Sequence, residues 1–178
     1  VRSTLAINAG CPQRLCVQIE GELQRQRERH GVPLSIIGHS RGGILARAIA
    51  ARLQGDVTSL VLLGSPVGAM LRMPSWTSAA IAVDSPAARR VADASTAFRR
   101  LIDPDCNVPE CGCPFPPDLR RPLHPRTRVV SICSRDDPIV PAAACTVEGA
   151  RNVEVGGTHS GLAFNRDVYR ELASALAG

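Results

Sequence analysis

Leu34-Ser35-Ile36-Ile37-Gly38-His39-Ser40-Arg41-Gly42-Gly43-Ile44-Leu45 is the stretch that decides how this 178-residue chain is read. Leu34 to Ile37 has the length and apolar character of a buried strand, and Ile44, Leu45, Ala48, Ile49 and Leu53 then recur at helical spacing. Between the two runs lies Gly38-His39-Ser40-Arg41-Gly42, a G-x-S-x-G sequence. A strand that passes into a helix through so few residues must turn sharply at Ser40. Gly38 and Gly42, two positions to either side, have no Cβ to obstruct that turn. The Ser40 hydroxyl would then stand beside the first N–H groups of the helix, beginning with the backbone N–H of Arg41, where a developing oxyanion finds donors.

Outward from this stretch the pattern repeats. Val57 to Leu63 is a second apolar run, stopped by Gly64-Ser65-Pro66, and Arg128 to Cys133 and Arg151 to Val155 read as two more strands. Leu15, Ile19 and Leu23 recur every fourth residue, which predicts a helix from about Gln13 to His30, ended by Gly31 with Pro33 beyond it. Val168, Tyr169, Leu172 and Leu176 predict a last amphipathic helix, and Arg2 to Ile7 a short strand closed by Asn8, Gly10 and Pro12. Strands alternating with helices imply an α/β protein with a mainly parallel sheet. Residues 67–126 are too many for an ordinary connection, so a cap or lid is expected there, with helix from about Ala87 to Leu101. No repeat or linker divides the chain, which reads as one domain over residues 1–178.

Composition narrows the function classes. With 44% hydrophobic residues the chain can bury a core, which argues against disorder. No apolar run approaches the roughly 18 residues that span a bilayer, so no integral membrane segment is expected. Val1 to Thr4 lacks the layout of a signal peptide, and without an initiator Met a longer chain with secretion stands beside the slightly favoured cytoplasmic location. The net charge of +5 rests on Arg alone and is scattered along the chain, which points away from nucleic acid as a partner. Seven cysteines, an odd number, cannot all pair within the chain.

A serine hydroxyl is a weak nucleophile without a base, so a carboxylate and an imidazole should follow Ser40 along the chain. Ser134-Arg135-Asp136-Asp137-Pro138-Ile139-Val140-Pro141 lies after the third of these strands, and Gly156-Gly157-Thr158-His159-Ser160-Gly161 after the fourth. Both segments leave the carboxyl ends of their strands, the edge at which Ser40 stands and at which open α/β sheets bind ligands.

From about Arg2 to Ala177 the sequence resembles the α/β-hydrolase superfamily, in its bacterial esterase and lipase-like branch, through G-H-S-x-G, the D-x-I-V-P of the acid loop and the late G-x-x-H. The resemblance implies Ser40 as nucleophile, His159 as general base and then general acid, and Asp137 as the residue that orients His159. Asp137 is chosen over Asp136 because it is the Asp of D-x-I-V-P; Asp136 is expected to face solvent or brace the loop. The resemblance also implies a small-molecule ester or lipid as substrate and no cofactor. It further implies an earlier strand, followed by a loop that supplies an oxyanion donor, and neither is visible in the sequence. The chain is therefore expected to be N-terminally incomplete, with Arg41 N–H as the one donor that can be named. A thioesterase, an acyltransferase or a non-catalytic lipid-binding or interaction module of the same fold are the alternatives.

The remaining conspicuous residues take plainer readings. His30 belongs to a helix C-terminus, where a cation is favourable, and His39 and His124 are expected to be structural. Cys106, Cys111 and Cys113 are spaced for a cap disulfide or free thiols rather than for a metal. Met70, Met73 and Trp76 either line an acyl pocket or pack the cap against the body.

Overall fold

The computed structural model describes residues 11–72 and 113–177. The expected strand Arg2 to Ile7, the expected cap helix Ala87 to Leu101, and Met73, Trp76, Cys106 and Cys111 lie outside these residues. The elements run α1 (Pro12–His30), β1 (Leu34–His39), α2 (Arg41–Leu53), β2 (Val57–Leu63), α3 (Val67–Arg72), α4 (Phe115–Arg120), β3 (Arg128–Ser134), α5 (Ala142–Cys145), β4 (Arg151–Val155) and α6 (Arg166–Leu176). Short 3-10 turns at Gln54–Asp56 and Ser160–Phe164 lie among the same described residues.

The four strands form one sheet in the order β1-β2-β3-β4, every pair parallel. Parallel strands are covered on both faces, and β2 carries the apolar run this demands. Leu60 and Leu62 point into a cluster with Ile36, Ile44, Leu45, Ile49, Phe115 and Leu119, whereas Val61 and Leu63 point into one with Val130, Ile132, Val155, Leu162 and Val168. Alternate residues of a single strand thus anchor α1, α2 and α4 on one face and α6 on the other. On α6 the buried positions are Val168 and Ala175, with Leu172 partly buried between them. Tyr169 and Leu176, expected on the same apolar stripe, are more than two-fifths exposed: Tyr169 is turned about 100° from Val168, and Leu176 is the last residue of the helix.

Sequence accounts for the helix ends. α1 opens on a proline in its first turn, where the missing N–H costs nothing, and closes on Gly31 at φ 65°, whose N–H bonds to the Arg27 carbonyl at 2.7 Å. α6 starts at Asn165, whose Oδ1 accepts from the N–H groups of Asp167 at 2.7 Å and Val168 at 3.4 Å. α2 is buried from Gly43 to Ala51, which its alanines permit by letting neighbours approach from several sides. Both ends of the stretch expected as a cap are seated in the body: Val67 and Met70 of α3, and Phe115 and Leu119 of α4, belong to the main core cluster.

One charged network ties the helices of this face together. Arg52 of α2 donates to Asp118 of α4 at 2.7 Å, to Glu20 of α1 at 3.0 Å and to Gln13 of α1. Burial pulls the Arg52 guanidinium toward deprotonation, but its bonds to Asp118 and Glu20 prevail and hold its pKa above the ordinary value.

Candidate active site

Ser40 follows β1 directly and caps α2, at φ 54° and ψ −126°. Among the described residues only Ser40 and Gln54 have positive φ without being glycine, so the turn predicted from G-x-S-x-G is strained at its serine. Three hydrogen bonds hold it there. The Ser40 N–H donates to the Leu63 carbonyl at 2.8 Å, extending the β1–β2 ladder by one step, while the Ser40 carbonyl accepts from Gly43 N–H at 3.0 Å and from the Ser65 hydroxyl at 2.7 Å.

The crowding explains the glycines. A Cβ on Gly38 would lie 2.5 Å from the Gly43 Cα and 2.6 Å from the Gly42 carbonyl oxygen, and a Cβ on Gly43 would lie 2.6 Å from the Cβ of Ser65. Gly43 is therefore required in its own right, and Ser65, fully buried, is the side chain that braces the turn. Neither role was assigned from sequence. Gly43 stood in view as the second glycine after Arg41, while the Ser65 contact spans 25 residues and leaves no local signal.

β3 and β4 lead into the loops that carry Asp137 and His159. The Asp137 carboxylate, its side chain wholly buried, lies with Oδ2 2.6 Å from Nδ1 of His159. Its Oδ1 accepts from the N–H groups of Ile139 at 2.8 Å and Val140 at 2.9 Å, so both oxygens are engaged and the carboxylate is fixed. An ionised carboxylate only accepts, which assigns the His159 proton to Nδ1 and leaves the lone pair on Nε2. Gly64, immediately after β2 at φ 51°, makes room for this pair: a Cβ there would stand 3.3 Å from His159 Nδ1 and 3.4 Å from Asp137 Oδ2.

Asp136 is turned away from the imidazole. It is exposed, and its Oδ2 accepts from Gly157 N–H at 3.2 Å. Ser134 donates to the Gly157 carbonyl at 2.5 Å, so two bonds lash the acid loop to the histidine loop. Asn165 adds a third tie from below, donating to the Gly156 carbonyl at 2.6 Å.

His39, expected to be merely structural, lies against the pair. Its Nε2–H donates to the His159 backbone carbonyl at 2.9 Å, and the two imidazole rings sit 4.7 Å apart between centroids at 41°. Burial lowers the His39 pKa, and the neighbouring His159 lowers it further, against opposing contributions from the carbonyl bond and Asp137. His124 is a turn residue whose Nδ1 accepts from Arg126 N–H at 3.3 Å, and His30 ends α1. Arg41 opens α2 directly after Ser40. Met70 is 6% exposed and packed in the main core cluster.

Cys16 and Cys145 are buried, which pushes each thiol up to about 12 and leaves it a core side chain rather than a nucleophile. Among the described residues no three His, Cys, Asp or Glu side chains converge as metal ligands would, and no helix is long and apolar enough to cross a membrane.

No protein-family model matches the sequence, and no curated protein aligns with it significantly. Solved structures do resemble it. A lipase-esterase related protein from Clostridium acetobutylicum superposes with a TM-score of 0.55 at 13% identity, over 93% of this chain and 76% of that one. The monoacylglycerol lipase of Paleococcus ferrophilus gives 0.51 at 16% identity, over 90% and 76%. The RedJ thioesterase of the prodiginine pathway in Streptomyces coelicolor gives 0.54 at 20% identity, over 94% and 72%. Four parallel strands in sequential order, a strained serine where the first strand becomes a helix, and agreement with these structures over nine-tenths of the chain together show that this chain has the α/β-hydrolase fold.

Proposed function

We propose that the protein is a serine hydrolase that cleaves carboxylic esters through an acyl-serine intermediate, with Ser40 as nucleophile, His159 as base and Asp137 as the residue that orients it. The reading rests on one observation above all. A buried carboxylate bonded to Nδ1 of His159 leaves Nε2 as the proton acceptor, and Ser40, Asp137 and His159 all follow the carboxyl ends of strands of one parallel sheet.

In the first half-reaction the Ser40 Oγ–H proton passes to His159 Nε2 as Oγ bonds to the ester carbonyl carbon. The negative charge moves to the carbonyl oxygen, which the Arg41 N–H at the start of α2 stabilises. Collapse of this adduct breaks the bond to the leaving oxygen, and His159 returns the proton to it, releasing the alcohol. In the second half-reaction water loses its proton to His159, attacks the acyl carbon, and the same proton finally restores the Ser40 hydroxyl. The imidazolium formed twice in this cycle is stabilised by Asp137. Base and nucleophile come from the chain itself, so the scheme uses no cofactor. Met70, Met73 and Trp76 remain the candidates for acyl-side contacts, Met70 being packed in the main core cluster.

A thioester acyl donor would pass through the same intermediate, and RedJ, one of the structures this chain resembles, is a thioesterase. Turnover of p-nitrophenyl butyrate against a butyryl thioester compares the two donors. Ser40→Ala should lower ester turnover by about 10⁴ or more, since triad members act as a unit, and a fluorophosphonate probe should label Ser40 alone. Labelling that survives Ser40→Ala would overturn the assignment.

A further inference from the structure

Resting on the triad reading, we propose that His39 is a positioning residue: its Nε2–H holds the backbone carbonyl of His159, and its neutral ring lies beside the imidazole that must become charged during catalysis. Two independent contacts carry this. One is the hydrogen bond of 2.9 Å between residues 120 positions apart, which joins the end of β1 to the loop after β4. The other is the face of the ring, 4.7 Å from that of His159.

The carbonyl only accepts, so the bond requires the His39 proton on Nε2. That bond fixes the backbone of the residue whose side chain is the base. Among the described residues, the His159 ring is otherwise held by Asp137 at Nδ1, and its loop by bonds at Gly156 and Gly157 and by the buried Leu162. A misplacement of about 1 Å in a reacting group can cost on the order of 10²-fold in rate, so fixing the backbone as well as the ring has kinetic weight.

The second contribution is electrostatic. The charged groups acting on His39 are His159, from the loop after β4, and Asp137, from the loop after β3. Two imidazolium rings at this separation repel, so a proton on His39 and the proton His159 gains from Ser40 oppose each other. Burial lowers the His39 pKa and so favours its neutral form beside His159.

The test uses ester hydrolysis by the whole chain. His39→Phe keeps a flat ring and removes the donor; kcat should fall about 10- to 100-fold with KM changed less than about threefold. His39→Gln places an amide N–H near the position of Nε2 and should restore kcat to within about threefold of wild type. His39→Asn, whose shorter amide matches Nδ1 instead, should not. The acid limb of kcat/KM should steepen toward two protons in wild type and fall with one in His39→Gln, a difference that a purely structural contact would not produce. Circular dichroism checks that each variant is folded, and the Gln and Asn variants decide the matter where Phe is not tolerated. A wild type that labels at Ser40 while all three variants match its kcat and acid limb would overturn the positioning role alone. A wild type inert to ester and probe would overturn the triad reading, and the role of His39 with it.

Discussion

Asp118 and Asp137 are both buried carboxylates facing a cationic or basic partner, yet they are built to different ends. Asp118 lies between Arg52 at 2.7 Å and Arg121 at 2.8 Å, and Arg52 is engaged again by Glu20 and Gln13, so charge is closed on all sides and three helices are joined. Asp137 is satisfied by two backbone N–H groups and one imidazole nitrogen, and its partner keeps a second nitrogen for another bond. The first arrangement spends its interactions on holding elements together. The second fixes one ring while leaving a proton acceptor, as a site for reversible proton transfer requires.

Substitution of Asp137 probes this contrast most severely. Asp137→Asn removes the carboxylate that holds the Nδ1–H tautomer, and turnover should fall on the order of 10³ to 10⁴ with the fold retained by circular dichroism. The neighbouring Asp136→Asn keeps an acceptor toward Gly157 and should cost less than about tenfold. Equal losses would show that the imidazole is oriented by something other than the 2.6 Å bond.

Asp118→Asn should do the reverse. Breaking a buried ion pair by neutralising one partner costs about 3 kcal/mol, and here Arg52 loses its shortest charged contact although Glu20 remains. Urea unfolding should show a lower midpoint at unchanged slope, with turnover per folded molecule within about threefold of wild type. A variant that unfolds as wild type does would mean that Glu20 and Gln13 alone satisfy Arg52.

How far the sequence reveals these two regions depends on the range of the interactions. β2 and β4 begin and end where the apolar runs do, because their boundaries are local. β1 and β3 run on past their apolar residues: His39 pairs with Leu63 and Ser134 with Val155, and such pairing needs a partner strand rather than a hydrophobic side chain. Asp137, rather than Asp136, meets His159 because D-x-I-V-P forms a loop whose own N–H groups clasp that carboxylate. By contrast, the Ser65 bond to Ser40, the His39 bond to His159 and the Arg52 network join residues 25, 120 and up to 66 positions apart. No periodicity encodes them. Tyr169 and Leu176 misled because hydrophobic residues near the right spacing were counted without asking which neighbours α6 meets.

The smallest effect concerns pH, and it separates the regions because only the one around His39 responds. His39 has a lowered pKa in the folded protein, chiefly through burial, so on acidification the unfolded chain binds a proton at this position before the folded chain does. Unfolding is then favoured as pH falls: the contribution of neutral His39 to stability is present in full above the ordinary histidine value of about 6.5. It declines as pH drops below that value toward the lower folded pKa. Arg52, held above its ordinary value, stays charged throughout this range and adds no such slope. Urea midpoints measured from pH 7.5 to 5 should therefore fall in wild type and fall less steeply in His39→Gln, which has no imidazole to protonate there. Parallel curves for the two proteins would mean that His39 binds its proton equally well folded and unfolded, and that burial beside His159 does not hold it neutral.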